Sequence, residues 1–326
     1  MASDSRQTSV LLVMSASGLA VGGLSAVQAR ANGTLAASVG SGIEAAAFSF
    51  AIGLTLLTII GLAVPRIRRG LGALAGAVRA RTQPVWIVLG GVSGALFITT
   101  QSLSVPVIGV ALFSVSLVGG QIAASLLVDS RGWGPRGRQP ISLSRVTAAV
   151  LGLGAVAASA SGRWDEGATA AAWAALCVVT GAAVAWQQAA NGRVTAVTRE
   201  PFVAAWINFM LGFVLVLIVL VISMVLGPLE PQAPPSGPPW IYLGGVIGAL
   251  FLAATAWIVG RIGVLAVTLL VTAGQLAGAL LLDLLLLDVV DGHLVVGVLV
   301  AFVAVVTGGL GDRRAAARAA TSRSTS

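Results

Sequence analysis

The chain has 326 residues, of which 57% are hydrophobic and 9% charged, against roughly a quarter charged in a soluble domain. With a mean hydropathy of +0.98, the net charge of +8 does not imply a nucleic-acid partner, because the basic residues are all arginines placed between apolar runs. A lone Cys177 and a lone His293 leave no disulfide, no metal cluster and no nucleophile–base pair, so the reading is a membrane protein that is not an enzyme, with no metal and no cofactor.

Many apolar runs reach the ~18 residues needed to cross the hydrocarbon core. In chain order the expected helices are Ser9 to Ala29, Ile43 to Val64, Val85 to Ser104, Val107 to Val128 and Leu143 to Ala160 in the first half. The second half gives Ala168 to Ala190, Phe202 to Leu226, Trp240 to Val259, Ile262 to Leu287 and Leu294 to Leu310. Pro106 is expected to break the third helix from the fourth. The connection after Pro65 carries Arg66, Arg68, Arg69, Arg79 and Arg81 with no acid, and its Leu71, Leu74 and Val78 fit either a short amphipathic helix on the lipid surface or a solvated loop. A proline-rich link, GPLEPQAPPSGPP, and the tail 312–326 are expected to lie outside the ordered fold.

The two halves are copies. A shift of 154 places Pro84 on Pro238, Trp86 on Trp240, Gly90-Gly91 on Gly244-Gly245, Gly94 to Phe97 on Gly248 to Phe251, Gly120-Gln121 on Gly274-Gln275 and Asp129 on Asp283. About 21 of 46 pairs are identical without a gap, and apolar composition does not make tryptophans, glutamines and aspartates coincide. A second frame, shifted by 159, places Gln28 on Gln187, Asn32-Gly33 on Asn191-Gly192, Phe50 on Phe209 and Gly53 on Gly212. The first helix therefore has an internal copy, which argues against reading it as a signal peptide cleaved near Ala29-Arg30-Ala31.

Ten helices put 17 arginines on the side of both termini and two, Arg30 and Arg163, on the other. Arginine excess marks the cytoplasmic face, so both termini are expected there. Five helices per half then make the repeats, 1–162 and 163–311, inverted in the membrane. Inverted repeats of this kind support alternating access, because two packings of one sequence can be exchanged between halves. A fused antiparallel pair with no transport role is the structural alternative.

The paired Q-x3-N-G, W-x3-GG-x2-GA-x-F and GQ-x7-D motifs resemble those of the YdcZ-type branch of the drug/metabolite transporter superfamily. The resemblance covers nearly the whole chain apart from termini and loops. It implies an inner-membrane, exporter-like fold of ten helices, the first four of each half around a cavity and the fifth outside. It does not supply a substrate. The chain departs from the pattern at Gly260, where the first half has Pro106, and after Asp283, where DLLLLDVVDGH replaces a glycine.

Gln121 and Gln275 fall near the middle of apolar helices, where an unpartnered amide costs on the order of 2 kcal/mol. They read either as cavity lining or as interhelical glue. Phe50, Phe209 and Asn208 add aromatic and polar surface to the same cavity. Gln28 with Asn32, and Gln187 with Asn191, stand four apart on one helix face and read as paired gates, or as the residues that end their helices. Asp129 and Asp283 near helix ends read as caps or as proton-coupling groups. Glycine pairs Gly90/Gly94 and Gly244/Gly248 read as close-packing faces, and Trp86 and Trp240 as interfacial anchors.

With no charge at mid-depth, the expected substrate is small and neutral, zwitterionic or amphipathic. The chain thus reads as an all-α secondary transporter, with export of a metabolite or drug the favoured direction. A lipid-linked precursor flippase of the same fold and a non-transporting membrane partner are the alternatives. Expected partners are the substrate and the bilayer, with a homodimer compatible and nucleic acid excluded.

Overall fold

The computed structural model describes residues 2–160, 168–227, 238–287, 292–293 and 295–308; the centre of the proline-rich link and the C-terminal tail fall outside them. Every regular element among the described residues is helical: α1 (Ala2–Val39), α2 (Gly42–Ala63), α3 (Pro65–Arg79), α4 (Gly90–Arg131), α5 (Leu143–Ala160), α6 (Ala168–Thr198), α7 (Pro201–Leu226), α8 (Leu243–Ile262), α9 (Val264–Leu287) and α10 (Val295–Gly308). Among the described residues, six segments are long and apolar enough to cross a membrane: Leu12–Val39, Gly42–Ala63, Ala171–Thr198, Pro201–Leu226, Pro239–Ile262 and Val264–Leu282.

Local chemistry sets the ends. Ser41 caps α2, its hydroxyl oxygen accepting from the Glu44 amide at 3.3 Å. Pro65 and Pro201 occupy the first turns of α3 and α7, where a missing N–H costs nothing. Gly132, at φ +73, ends α4 in the left-handed conformation that only glycine adopts without strain.

The structure corrects or completes the sequence expectations in three places. First, α1 runs past Asn32-Gly33 to Val39 and α6 past Asn191-Gly192 to Thr198, so these Asn-Gly pairs do not end their helices. In a helix packed on neighbours, tertiary burial offsets the ~1 kcal/mol propensity cost of glycine. Second, of the two readings left open for the arginine-rich connection the structure has the helix, α3, and its Ile67, Gly70 and Leu74 are buried on one face against the protein. Third, the ten expected spans are not ten separate helices, because Pro106 lies inside α4.

Yet α4 is not a straight rod. Thr100 Oγ1 lies 3.0 Å from Thr180 Oγ1, and a Cβ on the adjacent Gly181 would meet the Leu117 carbonyl oxygen at 1.9 Å. Residues 100 and 117 would be about 25 Å apart on a straight helix, but both rest on one turn of α6. The helix doubles back between them, in the stretch holding Pro106, and its two arms clasp α6. In the second half the corresponding reversal is a true break at Gly263, with φ +89, between α8 and α9.

The long helices of the first half find their main neighbours in the second: α1 packs on α9 and α8, α2 on α7 and α8, and α4 on α6 and α7, while α5 lies against α4. Two glycine seams bring backbones of the two halves into close approach. A Cβ on Gly22 of α1 would come within 2.3 Å of the Val271 carbonyl oxygen, and one on Gly274 within 2.1 Å of Leu19 O. A Cβ on Gly181 of α6 would come within 1.9 Å of Leu117 O, and one on Gly120 within 2.1 Å of Val178 O. The second set is the first carried forward by 159 on α1 and back by 154 on α9. The duplicated sequence has built a duplicated interface.

Candidate functional site

The same reciprocity brings the duplicated motifs together. Gln187 and Asn191, four apart on α6, face Gly94 and Gly90 of α4; a Cβ on Gly90 would lie 3.0 Å from Asn191 Oδ1, and one on Gly94 3.5 Å from Gln187 Nε2. Their copies do likewise, since a Cβ on Gly248 would lie 2.7 Å from Gln28 Nε2 and one on Gly244 1.9 Å from Asn32 Oδ1. The glycine faces read as helix-packing surfaces are thus seats for amides. Only a residue without a side chain leaves room for an Asn or Gln against the neighbouring backbone.

Between the two seats stand Phe50 of α2 and Phe209 of α7, their rings edge to face with centroids 5.2 Å apart. Both are buried and belong to the core where α2, α7 and α8 meet.

The two seats are alike in sequence and unlike in state. At the α6 seat, Gln187 Nε2 donates to Asn208 Oδ1 at 2.7 Å, and Asn208 Nδ2 donates to Asn191 Oδ1 and to the Ala204 carbonyl at 2.8 Å. These three amides are 7%, 3% and 1% exposed for Gln187, Asn208 and Asn191. At the α1 seat, position 49 holds serine where the copy holds Asn208, and Ser49 Oγ donates to Asn32 Oδ1 at 2.7 Å. Gln28 and Asn32 are both partly exposed. One seat is a buried amide triad, and the other is held by a single hydroxyl.

A second layer of contacts flanks the α6 seat, and sequence reasoning missed it. Arg193, half a turn beyond Asn191 on α6, donates from Nε to the Trp133 carbonyl at 2.6 Å and from Nη2 to the Gly132 carbonyl at 2.9 Å. Its guanidinium carbon lies 5.5 Å from the Trp86 ring centroid, and Trp86 in turn packs on Trp186 at 5.6 Å. Trp86 is therefore not merely an interfacial anchor. In the first half Val27 and Thr34 stand where the second has Trp186 and Arg193, and Trp240 is 41% exposed. The one available signal in the sequence is that Arg193 falls directly after a duplicated Asn-Gly while its copy does not carry a charge.

Gln121 and Gln275 lie on the two glycine seams, their backbone nitrogens 2.8 Å and 2.9 Å from where Cβ atoms of Gly181 and Gly22 would sit. Gln121 is half-buried and Gln275 exposed, so the structure does not join these two side chains to the amide seats. Gln188, which the sequence reading left aside, is buried and accepts at Oε1 from Thr268 Oγ1 of α9 at 3.1 Å.

Asp129 caps a helix it does not belong to. Its two carboxylate oxygens accept from the Val264 and Leu265 amides, at 3.0 and 3.1 Å, so it supplies the missing acceptors at the first turn of α9. Arg145 at the start of α5 donates to the same carboxylate at 2.6 Å, and both residues are almost wholly buried. This is the arrangement of a structural keystone joining α4, α5 and α9. Asp283 lies in the last turns of α9, and its side chain is outside the described residues. Glu44 is buried in the first turn of α2, facing the positive end of that helix. Among the described residues no group of three His, Cys, Asp or Glu converges as a metal site would require.

An all-helical chain with six apolar spans and a polar seam between two like halves is a multi-pass membrane protein. Residues 13–158 and 172–311 match the family described as "Putative inner membrane exporter, YdcZ". The chain belongs to that family, and with it to the inner-membrane transporters of the drug/metabolite type. A solved crystal structure is similar in fold, with a TM-score of 0.67 over 93% of this chain and 97% of the other at 16% identity. No curated protein matches the chain.

Proposed function

We propose that the protein is a ten-span secondary transporter built as two inverted five-helix repeats, and that it exports a small neutral, zwitterionic or amphipathic compound by alternating access. Both termini lie in the cytoplasm in this reading, which places the triad Gln187–Asn208–Asn191 at the inner mouth and the pair Gln28–Asn32 at the outer one. The α4 element then counts as two spans, its arms being residues 90–104 and 113–131.

One observation carries the proposal: two mouths equivalent in sequence are unequally closed. An alternating-access protein must rebuild at one face the contacts it breaks at the other, and each Gly-Gly seat can receive its amide pair. The buried inner triad and the half-open outer pair correspond to an outward-facing state. Phe50 and Phe209, on the line between the seats, form the pivot and the floor of the cavity, with Gln121 and Gln275 polar groups on its walls. The substrate class follows from a lining of amides, hydroxyls and aromatic rings, with the buried ion pair Asp129–Arg145 already committed to a helix end.

A thermal-shift screen against metabolites and drugs supplies a ligand, since binding to the folded state raises stability by RT ln(1 + [L]/Kd). Spin labels at equivalent positions, Ser38→Cys with Pro239→Cys across the outer mouth and Val197→Cys with Val85→Cys across the inner, then read the mouths in a Cys177→Ala background. The two distances should change in opposite senses on ligand addition. Distances that both stay fixed while transport proceeds would remove the gates from these residues. Gln121→Leu and Gln275→Leu should abolish ligand-induced stabilisation while leaving the protein folded, and unchanged ligand binding in both would take these glutamines out of the cavity.

A further inference from the structure

Away from the central seam, α3 and the turn between α6 and α7 border an open surface pocket of about 460 Å³ lined by Arg66, Arg69, Gly70, Ala73, Thr198, Arg199 and Glu200. We propose that it is a binding site for the headgroup of an anionic phospholipid, with Arg66, Arg69 and Arg199 holding the phosphate.

Depth is the first argument. Three spans end here: Gly42–Ala63 runs directly into α3, and the turn Arg199-Glu200 separates Ala171–Thr198 from Pro201–Leu226. A cavity at the ends of three spans stands at headgroup level. The amphipathic α3 lies along the same level, its Ile67, Gly70 and Leu74 buried against a core that includes Val194, Val203 and Ile207. Its arginines stay exposed.

Charge is the second. The cavity has three guanidinium groups and one carboxylate, and among the described residues none of Arg66, Arg69 and Arg199 forms an ion pair, with Glu200 or any other acid. The fold brings these like charges together rather than apart. Gly70 makes that approach feasible, since a Cβ there would lie 2.9 Å from Val203 Cγ2 and 3.4 Å from Thr198 Cβ. A basic pocket between spans at the membrane surface is suited to a lipid phosphate, and its volume falls in the range of small-ligand sites.

The third argument is backbone strain. Arg199 has φ +58, a left-handed conformation that glycine adopts freely and a β-carbon resists. This is the position just after a helix where glycine is the usual choice. Arg81, after α3, shares this conformation at φ +55, so the strain supports the site only together with the place of Arg199 among the pocket-lining residues.

The test uses the purified full-length protein in detergent, with melting followed against added phosphatidylglycerol, phosphatidylcholine or inorganic phosphate. Phosphatidylglycerol should raise the melting temperature, and the other two should not at equal concentration. In Arg66→Gln/Arg69→Gln the phosphatidylglycerol concentration giving half the shift should rise roughly tenfold or more. Arg79→Gln/Arg81→Gln removes the same charge outside the pocket and should leave it within about twofold. Arg199→Gly should lose lipid stabilisation while the lipid-free protein melts at the same or a higher temperature, which separates binding from folding. An equal shift with phosphatidylcholine, an equal shift with inorganic phosphate, or an equal loss in Arg79→Gln/Arg81→Gln would each overturn the proposal.

Discussion

Phe50 and Phe209 each occupy the space that a β-carbon on the other's neighbouring glycine would need. A Cβ on Gly212 would meet Phe50 Cε1 at 2.5 Å, and a Cβ on Gly53 would meet Phe209 Cε1 at 2.1 Å. The two rings and two glycines form a reciprocal lock between α2 and α7.

The lock predicts an asymmetric rescue. Gly212→Ala overpacks the site and should cost about 1–3 kcal/mol, but its near contacts all belong to the Phe50 ring. Combining it with Phe50→Leu should therefore cost less than the sum of the two changes. Gly53→Ala also meets the Gly245 carbonyl oxygen at 2.7 Å, and backbone does not yield, so Phe209→Leu should rescue it poorly. Thermal or denaturant unfolding of the two double-mutant cycles in detergent checks this; equal rescue on both sides would be inconsistent with the packing.

Asp129 and Arg145 should be indispensable as a pair and less so together. Asp129→Ala leaves a buried guanidinium without its carboxylate and uncaps α9, which should cost about 3–5 kcal/mol. Arg145→Leu alone should cost a similar amount. Replacing both by leucine should lose less than the sum, because no buried charge is left behind, while the two exposed-to-solvent-free amides of α9 still lack acceptors. If Asp129 instead carried protons during transport, Asp129→Asn would preserve stability and abolish coupled transport.

The closed mouth should depend on Asn208 more than the open one depends on Ser49. Asn208→Ala deprives Gln187 and Asn191 of partners inside a buried cluster and should cost about 1–3 kcal/mol. Ser49→Ala breaks one bond to a partly exposed Asn32 and should cost about 0.5–1.5 kcal/mol. Arg193→Lys should open the same mouth, because a single ammonium cannot reach two carbonyls and stack on Trp86 together. Reactivity of a cysteine at Thr195, in the Cys177→Ala background, should rise in both Asn208→Ala and Arg193→Lys and not in Ser49→Ala.

Orientation is tested with two exposed positions. In cells expressing the Cys177→Ala protein, Ser38→Cys should react with an impermeant thiol reagent, and Thr82→Cys only after lysis. The reverse pattern would place the arginine-rich face outside.

Much of this architecture is local and therefore present in the sequence. Apolar run length sets the spans, Pro65 and Pro201 mark helix starts, and two constant frames reveal the duplication, because these signals need only neighbours along the chain. The motif residues Gln28, Asn32, Gln187 and Asn191 were legible as pairs because a helix places i and i+4 on one face. What they face was not. Their seating on Gly248, Gly244, Gly94 and Gly90 depends on how helices from opposite halves cross, and no periodicity encodes that. Asp129 could be read as a cap from its place near a helix end, but the helix it caps begins 135 positions later at Val264. The difference between the two seats is partly written in the sequence, since Ser49 stands where the copy has Asn208, but only packing shows that Gln187 and Asn191 are buried while Gln28 and Asn32 are partly exposed. Sequence determined the repeated parts; the close approach of glycine-lined backbones across the two halves decided which of those parts meet.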